Sequence, residues 1–250
     1  MRIYHAIGEW VKEVTKRVWV ARFRLDIPPT MKFLAGQYCS FHIKDNLRRT
    51  FSITTPPSHN VSFEICADVT PMGPGSVWLM NLKPGDRVEF LGPMGKFTLD
   101  PVSKRNRVFI ATGTGIAPIR SMIYELLQER QAGPGEDSRQ ASDPSTALGT
   151  SKREVHLFWG LRYEEDVFWP DEFRDLEKNN NNFQFTVTLS QPSNGWTGKR
   201  GYVTEHLKDF KNIQDYDFYL CGNRGTIDSI KAYLTNRGVP NEQMKTELFF

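Results

Sequence analysis

The sequence predicts two consecutive domains, an antiparallel β-barrel followed by a parallel-sheet α/β domain. Two observations predict this arrangement. Up to residue 102, short segments rich in aromatic and β-branched residues alternate closely with Pro, Gly and Asn. After residue 105, buried strand-like segments alternate with helical ones, which is typical of a parallel sheet. We therefore place the boundary near 101–106 and predict domains 1–102 and 103–250.

Five segments of the first domain read as strands. In chain order they are VWVARFRLDI, GQYCSFHI, RTFSIT, VSFEICADV and DRVEFLGP. Their spacing favours a small antiparallel barrel or sandwich. In RTFSIT the apolar residues alternate, and the following Pro56-Pro57 ends the strand.

The second domain begins with RVFIATG, a buried strand, and then IAPIRSMIYELLQER, whose apolar residues share one helical face. Three further strands are predicted at EVHLFWG, FQFTVTLS and DFYLCGN, with helices at DEFRDLEKNN, VTEHLKDF and TIDSIKAYLTNRG. Residues 131–153 are rich in Gly, Pro, Ser and Asp, and we predict that they form a disordered insertion.

Composition excludes several classes of protein. No apolar run approaches the ~20 residues of a membrane span, and the charged N-terminus lacks a signal-peptide pattern, so a cytoplasmic location is expected. Three cysteines are too few for a disulfide scaffold or a four-cysteine iron–sulfur site, and no metal site is predicted. Residues 1–102 carry 13 basic and 9 acidic side chains, a net +4. This excess is too small to indicate nucleic acid, but it favours a small acidic partner.

Two stretches carry candidate chemistry at predicted strand ends. Gly113-Thr114-Gly115 joins a strand to a helix, so its amides can bind a pyrophosphate. The alternative is a tight turn without ligand. The full G-x-G-x-x-G pattern is missing, which disfavours an ordinary Rossmann dehydrogenase. Cys221-Gly222 ends another strand, where ligands of parallel sheets bind, but the residues alone favour a buried core cysteine at Cys221.

Taken together, the motifs resemble the ferredoxin–NADP reductase superfamily over nearly the whole chain. They follow the family's order: Arg49-Thr50-Phe51-Ser52, Gly73-Pro74-Gly75-Ser76, GPMGKF at 92–97, GTGIAP at 113–118, FWGLRYEEDVF, CGN at 221–223 and TELFF at 246–250. This resemblance implies a flavin-binding barrel followed by a pyridine-nucleotide domain.

The resemblance also implies residue roles. Arg49 would hold the flavin phosphate and Phe51 would pack along the flavin, in a motif that also contains Thr50. Gly75 and Ser76 belong to the second phosphate motif. The nucleotide-binding residues implied are Gly113, Thr114, Gly115, Arg162 and Ser190. The catalytic set implied is Ser52, Cys221 and Glu247, with Phe250 as a removable aromatic cover, Phe249 being the other candidate.

The implied activity is electron transfer from NADH or NADPH through FAD, with FMN the less favoured flavin. The acceptor would be a separate one-electron carrier such as ferredoxin or flavodoxin. Phe51 stands where the family usually has tyrosine. Free-flavin reductases of the superfamily also have phenylalanine at this position, so free-flavin reduction is an alternative activity. An oxygenase reductase component and a non-enzymatic flavin- or nucleotide-binding regulatory subunit are others. Gln191, neutral where NADP-using relatives have arginine, favours NADH, with Lys199, Arg200 and Arg162 as the alternative ligands of a 2′-phosphate.

Overall fold

A computed structural model describes residues 2–128, 153–208 and 210–249. The described strands are β1 (Arg2–Glu13), β2 (Val18–Ile27), β3 (Tyr38–Lys44), β4 (Leu47–Ser52), β5 (Ser62–Asp68), β6 (Arg87–Met94), β7 (Asn106–Thr112), β8 (Val155–Leu161), β9 (Phe183–Leu189), β10 (Lys199–Arg200), β11 (Tyr216–Asn223) and β12 (Met244–Phe249). The described α-helices are α1 (Pro74–Asn81), α2 (Ile116–Gln128), α3 (Pro170–Asn179), α4 (Val203–His206) and α5 (Arg224–Asn236).

The first sheet is antiparallel and rolls into a barrel. Its strand order is β4-β3-β6-β1-β2-β5. The two edge strands approach each other where Ile53 bridges Ile65 and the Thr54 N–H donates to the Glu64 carbonyl at 2.9 Å. Because this approach directly follows β4, it fixes the position of the last residues of that strand.

The second sheet is parallel, with the order β10-β9-β8-β7-β11-β12. The chain leaves β7 toward β8 and later returns to the other side of β7 as β11. Such a reversal of strand order opens a crevice at the carboxyl ends of the two central strands. In this chain the crevice lies between Thr112 and Gly222.

Helices cover both faces of the parallel sheet. Residues of α2 and α3 join one apolar core, which also includes Val18, Val20 and Cys66 of the barrel. Residues of α4 and α5 form a separate core on the opposite face. Sharing a core with the barrel places α2 at the junction between the two sheets.

The predicted fold class is confirmed, with corrections to single elements. Strand β1 and helix α1 were not predicted, and the predicted helix VTEHLKDF is helical only over Val203–His206. Residues 131–152 of the predicted insertion and Phe250 lie outside the described residues. Within the described parts of the chain, none of the helices has both the length and the apolar character needed to cross a bilayer.

Candidate active site

A cavity of about 1150 Å³ lies between the two sheets. Strand β4 and helix α1 of the barrel border one side, and the carboxyl ends of β7, β8 and β11 border the other. Ligand pockets commonly measure ~300–1000 Å³. This cavity therefore has room for a large cofactor together with part of a second ligand.

Strand β4 presents two exposed residues and then two buried ones. Arg49 and Thr50 are exposed, whereas Phe51 and Ser52 are buried. The Phe51 ring stacks on Trp78 of α1, with centroids 5.7 Å apart. Phe51 also borders the cavity, so it forms an apolar wall that the barrel core holds rigidly.

Helix α1 begins beside Arg49 at the border of the cavity. Its first turn has no side-chain cap, and Gly73, Gly75 and Ser76 border the cavity. A Cβ on Gly75 would lie 3.1 Å from Arg49 Cγ, so glycine allows this close approach. Free first-turn amides and a guanidinium both favour phosphate.

The turn after β7 forms the opposite wall. Gly113 and Thr114 border the cavity, and the Gly113 carbonyl accepts a hydrogen bond from Trp159 Nε1 at 2.9 Å. A Cβ on Gly115 would lie 2.2 Å from the Cys221 carbonyl oxygen. Glycine at this position therefore lets the turn contact the end of β11.

Ser52 and Glu247 bring the two domains into contact at the cavity. Ser52 Oγ donates to Glu247 Oε1 at 3.4 Å, across 195 positions of sequence. Glu247 lies on β12 and pairs in register with Cys221 on β11. Gly222 borders the cavity, whereas Cys221 is fully buried in the core one residue earlier.

Burial dominates the protonation of this group of side chains. It raises the pKa of Glu247 from its ordinary 4.5 to about 7, and the hydrogen bond from Ser52 opposes part of that rise. Burial, followed by the nearby Glu247 carboxylate, raises the pKa of the Cys221 thiol. Glu247 can therefore exchange a proton near neutral pH, while Cys221 remains a thiol.

The raised pKa of Glu247 predicts a pH-dependent stability. The folded protein binds a proton at Glu247 that the unfolded chain releases above pH ~4.5, so stability falls between there and pH ~7. Glu247→Gln removes this titration. We expect the melting temperature of the variant relative to wild type to rise from about pH 5 to about pH 8, measured by thermal melts. A difference independent of pH would contradict the shifted pKa.

The far end of the cavity is built around the end of β9. The Ser190 N–H donates to the Leu161 carbonyl at 3.0 Å, and both Ser190 and Arg162 border the cavity. Gln191 Oε1 accepts from Arg162 Nε at 2.9 Å and from the Tyr163 hydroxyl at 2.8 Å. The Gln191 side chain thus fixes the guanidinium of Arg162.

Two family models match the chain in the same order as the two sheets. Residues 9–99 match the model described as an oxidoreductase FAD-binding domain, and residues 109–232 match an oxidoreductase NAD-binding domain. The ferredoxin–NADP reductase B of Sorangium cellulosum (strain So ce56) is 30% identical over 228 residues, covering 87% of this chain and 85% of that protein. The chain belongs to the ferredoxin–NADP reductase superfamily. It is an NAD(P)H-dependent flavin oxidoreductase whose cofactors are FAD and a nicotinamide nucleotide.

Other members of the superfamily match at different lengths. One component of the Na(+)-translocating NADH-quinone reductase of Pseudomonas aeruginosa (strain UCBPP-PA14) is 30% identical over 233 residues, which are 87% of this chain. The match covers 52% of that component, so the chain spans about half its length.

Solved structures show the same fold at low identity. A cytochrome P450 reductase from Amycolatopsis has a TM-score of 0.84 and 22% identity, covering 99% of this chain and 70% of that one. A ferredoxin NADP+ reductase from Neisseria gonorrhoeae, solved with FAD and NADP bound, has a TM-score of 0.78 and 20% identity. That match covers the whole of both chains.

The residues of this reductase fit FAD in chemical character. The start of α1 at Gly75 and the exposed Arg49 beside it suit a phosphate, and the buried Phe51 offers a flat apolar surface. The turn Gly113–Gly115 faces them across the cavity with the features of a pyrophosphate site. The two halves of the cavity are thus suited to two different nucleotides.

The structure brings most of the predicted site residues to one cavity. The members of both predicted sets that border it are Arg49, Thr50, Phe51, Ser52, Gly75, Ser76, Gly113, Thr114, Arg162, Ser190 and Glu247. Gly115 and Cys221 lie just behind its wall, Phe250 lies outside the described residues, and Phe249 borders the cavity.

Several bordering residues were missed by sequence reasoning. Arg17 borders the cavity and pairs with Asp68 at 3.1 Å and with Asp166 of the second domain at 3.9 Å. Tyr38 borders it from β3. An arginine in a turn and a tyrosine in a strand carry no signal of their own, because only the folded arrangement turns them toward the cavity.

Proposed function

We propose that this reductase passes electrons from NADH through bound FAD to a separate one-electron carrier such as ferredoxin or flavodoxin. The observation that carries the proposal is the contact between Ser52 of the barrel domain and Glu247 of the second domain, where the two halves of the cavity meet. When bound, the two cofactors supply hydride transfer from the nicotinamide to the flavin. The protein's own contribution is to hold, orient and exchange protons around them.

Each side chain of this junction has a distinct proposed role. Ser52 offers a hydroxyl donor at the point where the two domains meet, and Glu247 offers a carboxyl group that titrates near neutral pH. Cys221 packs behind Glu247 and keeps the end of β11 apolar. Arg49 and the start of α1 would hold the FAD phosphates, and Gly113–Gly115 the pyrophosphate of the nicotinamide nucleotide.

A second opening supports an acidic carrier as the acceptor. It measures about 600 Å³ and shares Tyr38 and Glu247 with the main cavity. Lys96 and Lys245 also line it, and Lys245 pairs with Asp100 at 3.6 Å. The first 102 residues carry a net charge of +4. The 250 residues contain three cysteines, fewer than the four that hold an iron–sulfur cluster, which favours a carrier that brings its own redox centre.

Purified protein tests this proposal directly. We expect one FAD per chain in the absorption spectrum and oxidation of NADH coupled to reduction of ferredoxin or flavodoxin. Turnover of added free flavin, with no carrier reduction, would instead favour the free-flavin reductase that Phe51 suggests. Bound flavin without any NADH or NADPH oxidation, even with artificial acceptors, would reject an enzyme in favour of a regulatory subunit.

We further propose that NADH is preferred over NADPH, because the position after Ser190 holds a neutral glutamine and the Nη2 group of Arg200 is engaged by its own loop. Gln191 is neutral and its carbonyl oxygen already accepts two hydrogen bonds. Arg200 Nη2 donates to three backbone carbonyls of the preceding loop, at 2.8, 3.4 and 2.9 Å: Ser193, Asn194 and Trp196. Using Arg200 for a phosphate would therefore release that loop.

The coenzyme preference is measured as kcat/KM for each nucleotide. A charge-assisted hydrogen bond is worth ~1.5–3 kcal/mol, so we expect NADH to be favoured about 10-fold or more. Gln191→Arg should raise kcat/KM for NADPH and leave that for NADH within about twofold. A clear NADPH preference of the wild type would reject the proposal, and its loss in Lys199→Ala or Arg200→Ala would identify the phosphate ligand.

A further inference from the structure

Arg120 of α2 is a largely buried guanidinium with acceptors on several sides. Its side chain is 13% exposed. It donates to the Thr54 carbonyl at 3.2 Å, to Glu64 Oε2 at 3.4 Å, and to both carboxylate oxygens of Glu172 at 2.6 and 3.2 Å. A buried cation persists only when its charge and its donors are compensated, so these partners define its position.

The contacts of Arg120 join the two domains next to the proposed site of hydride transfer. Thr54 lies two residues after Ser52 in the barrel domain. The next residue of α2 adds a second link, because Ser121 Oγ donates to the Thr55 carbonyl at 2.6 Å. Helix α2 itself starts directly after the turn Gly113–Gly115. One helix thus connects the segment that follows Ser52 to the pyrophosphate turn.

An alternating series of charges extends this link on both sides. It runs from the barrel to α3 with contacts of 2.9, 3.0, 3.4 and 2.6 Å: Glu9, Arg22, Glu64, Arg120 and Glu172. Burial of the inner members makes each charge depend on its neighbours. These contacts therefore favour one position of α2 and α3 relative to the barrel.

Trp169 supports the guanidinium from a strained position. It has φ 57° and ψ 22°, a left-handed conformation that is costly for a bulky residue and persists where the surroundings determine it. Its ring centroid lies 4.6 Å from Arg120 Cζ, and that of Tyr124 lies 5.2 Å away. Trp169 is the N-cap residue directly before α3, whose first turn brings Glu172 to Arg120.

We propose that Arg120 is a positioning residue, which fixes the relative position of the two domains so that Ser52 stays opposite Glu247. This inference rests on the proposed roles of Ser52 and Glu247. Methionine at this position would remove the directional contacts and leave the Glu172 carboxylate without its arginine, which weakens the junction. Lysine keeps the charge and loses the planar fork that reaches acceptors on three segments.

The test compares holoenzymes of Arg120→Met, Arg120→Lys and a control, Arg174→Met. Arg174 is an exposed arginine of α3 that pairs only locally, with Asp171 at 3.3 Å. Two ligands distinguish binding to one domain from alignment of both. ADP-ribose needs the nucleotide domain alone, whereas 1,4,5,6-tetrahydro-NADH places a non-reducing nicotinamide against the flavin. The third readout is amide hydrogen exchange of residues 52–55.

For Arg120→Met we expect affinity for tetrahydro-NADH to fall about 10-fold or more, with loss of its perturbation of the flavin spectrum. ADP-ribose affinity and FAD content should stay within about twofold, and exchange at 52–55 should accelerate. For Arg120→Lys, the affinity for tetrahydro-NADH and the exchange rate at 52–55 should lie between those of wild type and Arg120→Met. For Arg174→Met, both should equal those of wild type.

Other outcomes overturn the inference. Wild-type spectra and exchange in Arg120→Met would show that the side chain only fills space. Parallel loss of ADP-ribose and FAD binding would show a general role in stability. If Arg120→Met does not fold, Arg120→Lys and Glu172→Gln answer the same question. A wild type that fails to oxidise NADH would reject the proposed function, while the exchange and ADP-ribose measurements would still judge Arg120.

Discussion

Arg49→Ala is expected to release FAD from an otherwise folded protein. The Arg49 side chain is exposed at the cavity, and its aliphatic part packs against Gly75, near the start of α1. A guanidinium–phosphate bond is worth ~1.5–3 kcal/mol, so FAD affinity should fall about 10-fold or more. Equilibrium dialysis followed by absorbance of the retained flavin measures this loss.

The neighbouring arginine provides a matched control. Arg48 donates to the Ser40 carbonyl at 3.2 Å and pairs with Glu89 at 2.8 Å, so its contacts lie within the barrel. Arg48→Ala should lower the melting temperature slightly and retain FAD. Equal FAD retention by both variants would count against the phosphate site, whereas equal loss would indicate damage to β4 rather than removal of a ligand.

The sequence predicted elements well wherever the apolar pattern was undisturbed. Helix α2 shows an apolar face, and β8 is apolar apart from His156 and Gly160, and both elements are observed. Strand β1 was missed because Ala6 and Gly8 occupy buried positions in its alternation, and small residues give little apolar signal. Helix α1 was missed because a glycine-containing first turn was interpreted only as a phosphate motif.

The site was predictable as a set of motifs but not as a geometry. Ser52 and Glu247 lie 195 positions apart in the sequence, and only the resemblance to a family placed them together. The burial of Arg120 could not be predicted from the sequence, because an arginine beside apolar helix residues usually lies on the solvent-facing side of the helix. Its burial depends on Glu64 and Glu172, which come from two other elements.

The second large effect is expected for the junction of the two domains. Glu247→Ala removes the partner of Ser52 and leaves space beside Cys221. Displacement of reacting groups by about 1 Å can cost ~100-fold in rate, and we expect a loss of that order in flavin reduction at saturating NADH. Stopped-flow absorbance measures the rate, and FAD content should remain near wild type.

Cys221→Ala should have a smaller effect in the same direction, because its buried thiol acts on the junction through packing and not through a charge. Glu242→Ala serves as the control, since this exposed glutamate lies just before β12 and away from the cavity. If Glu247→Ala and Cys221→Ala both reduce at the wild-type rate, the proposed roles are wrong and Cys221 is a core cysteine. If either variant loses FAD together with rate, the junction holds the flavin domain in place instead of aligning the two cofactors, because a pure alignment defect leaves the proposed phosphate site at Arg49 intact.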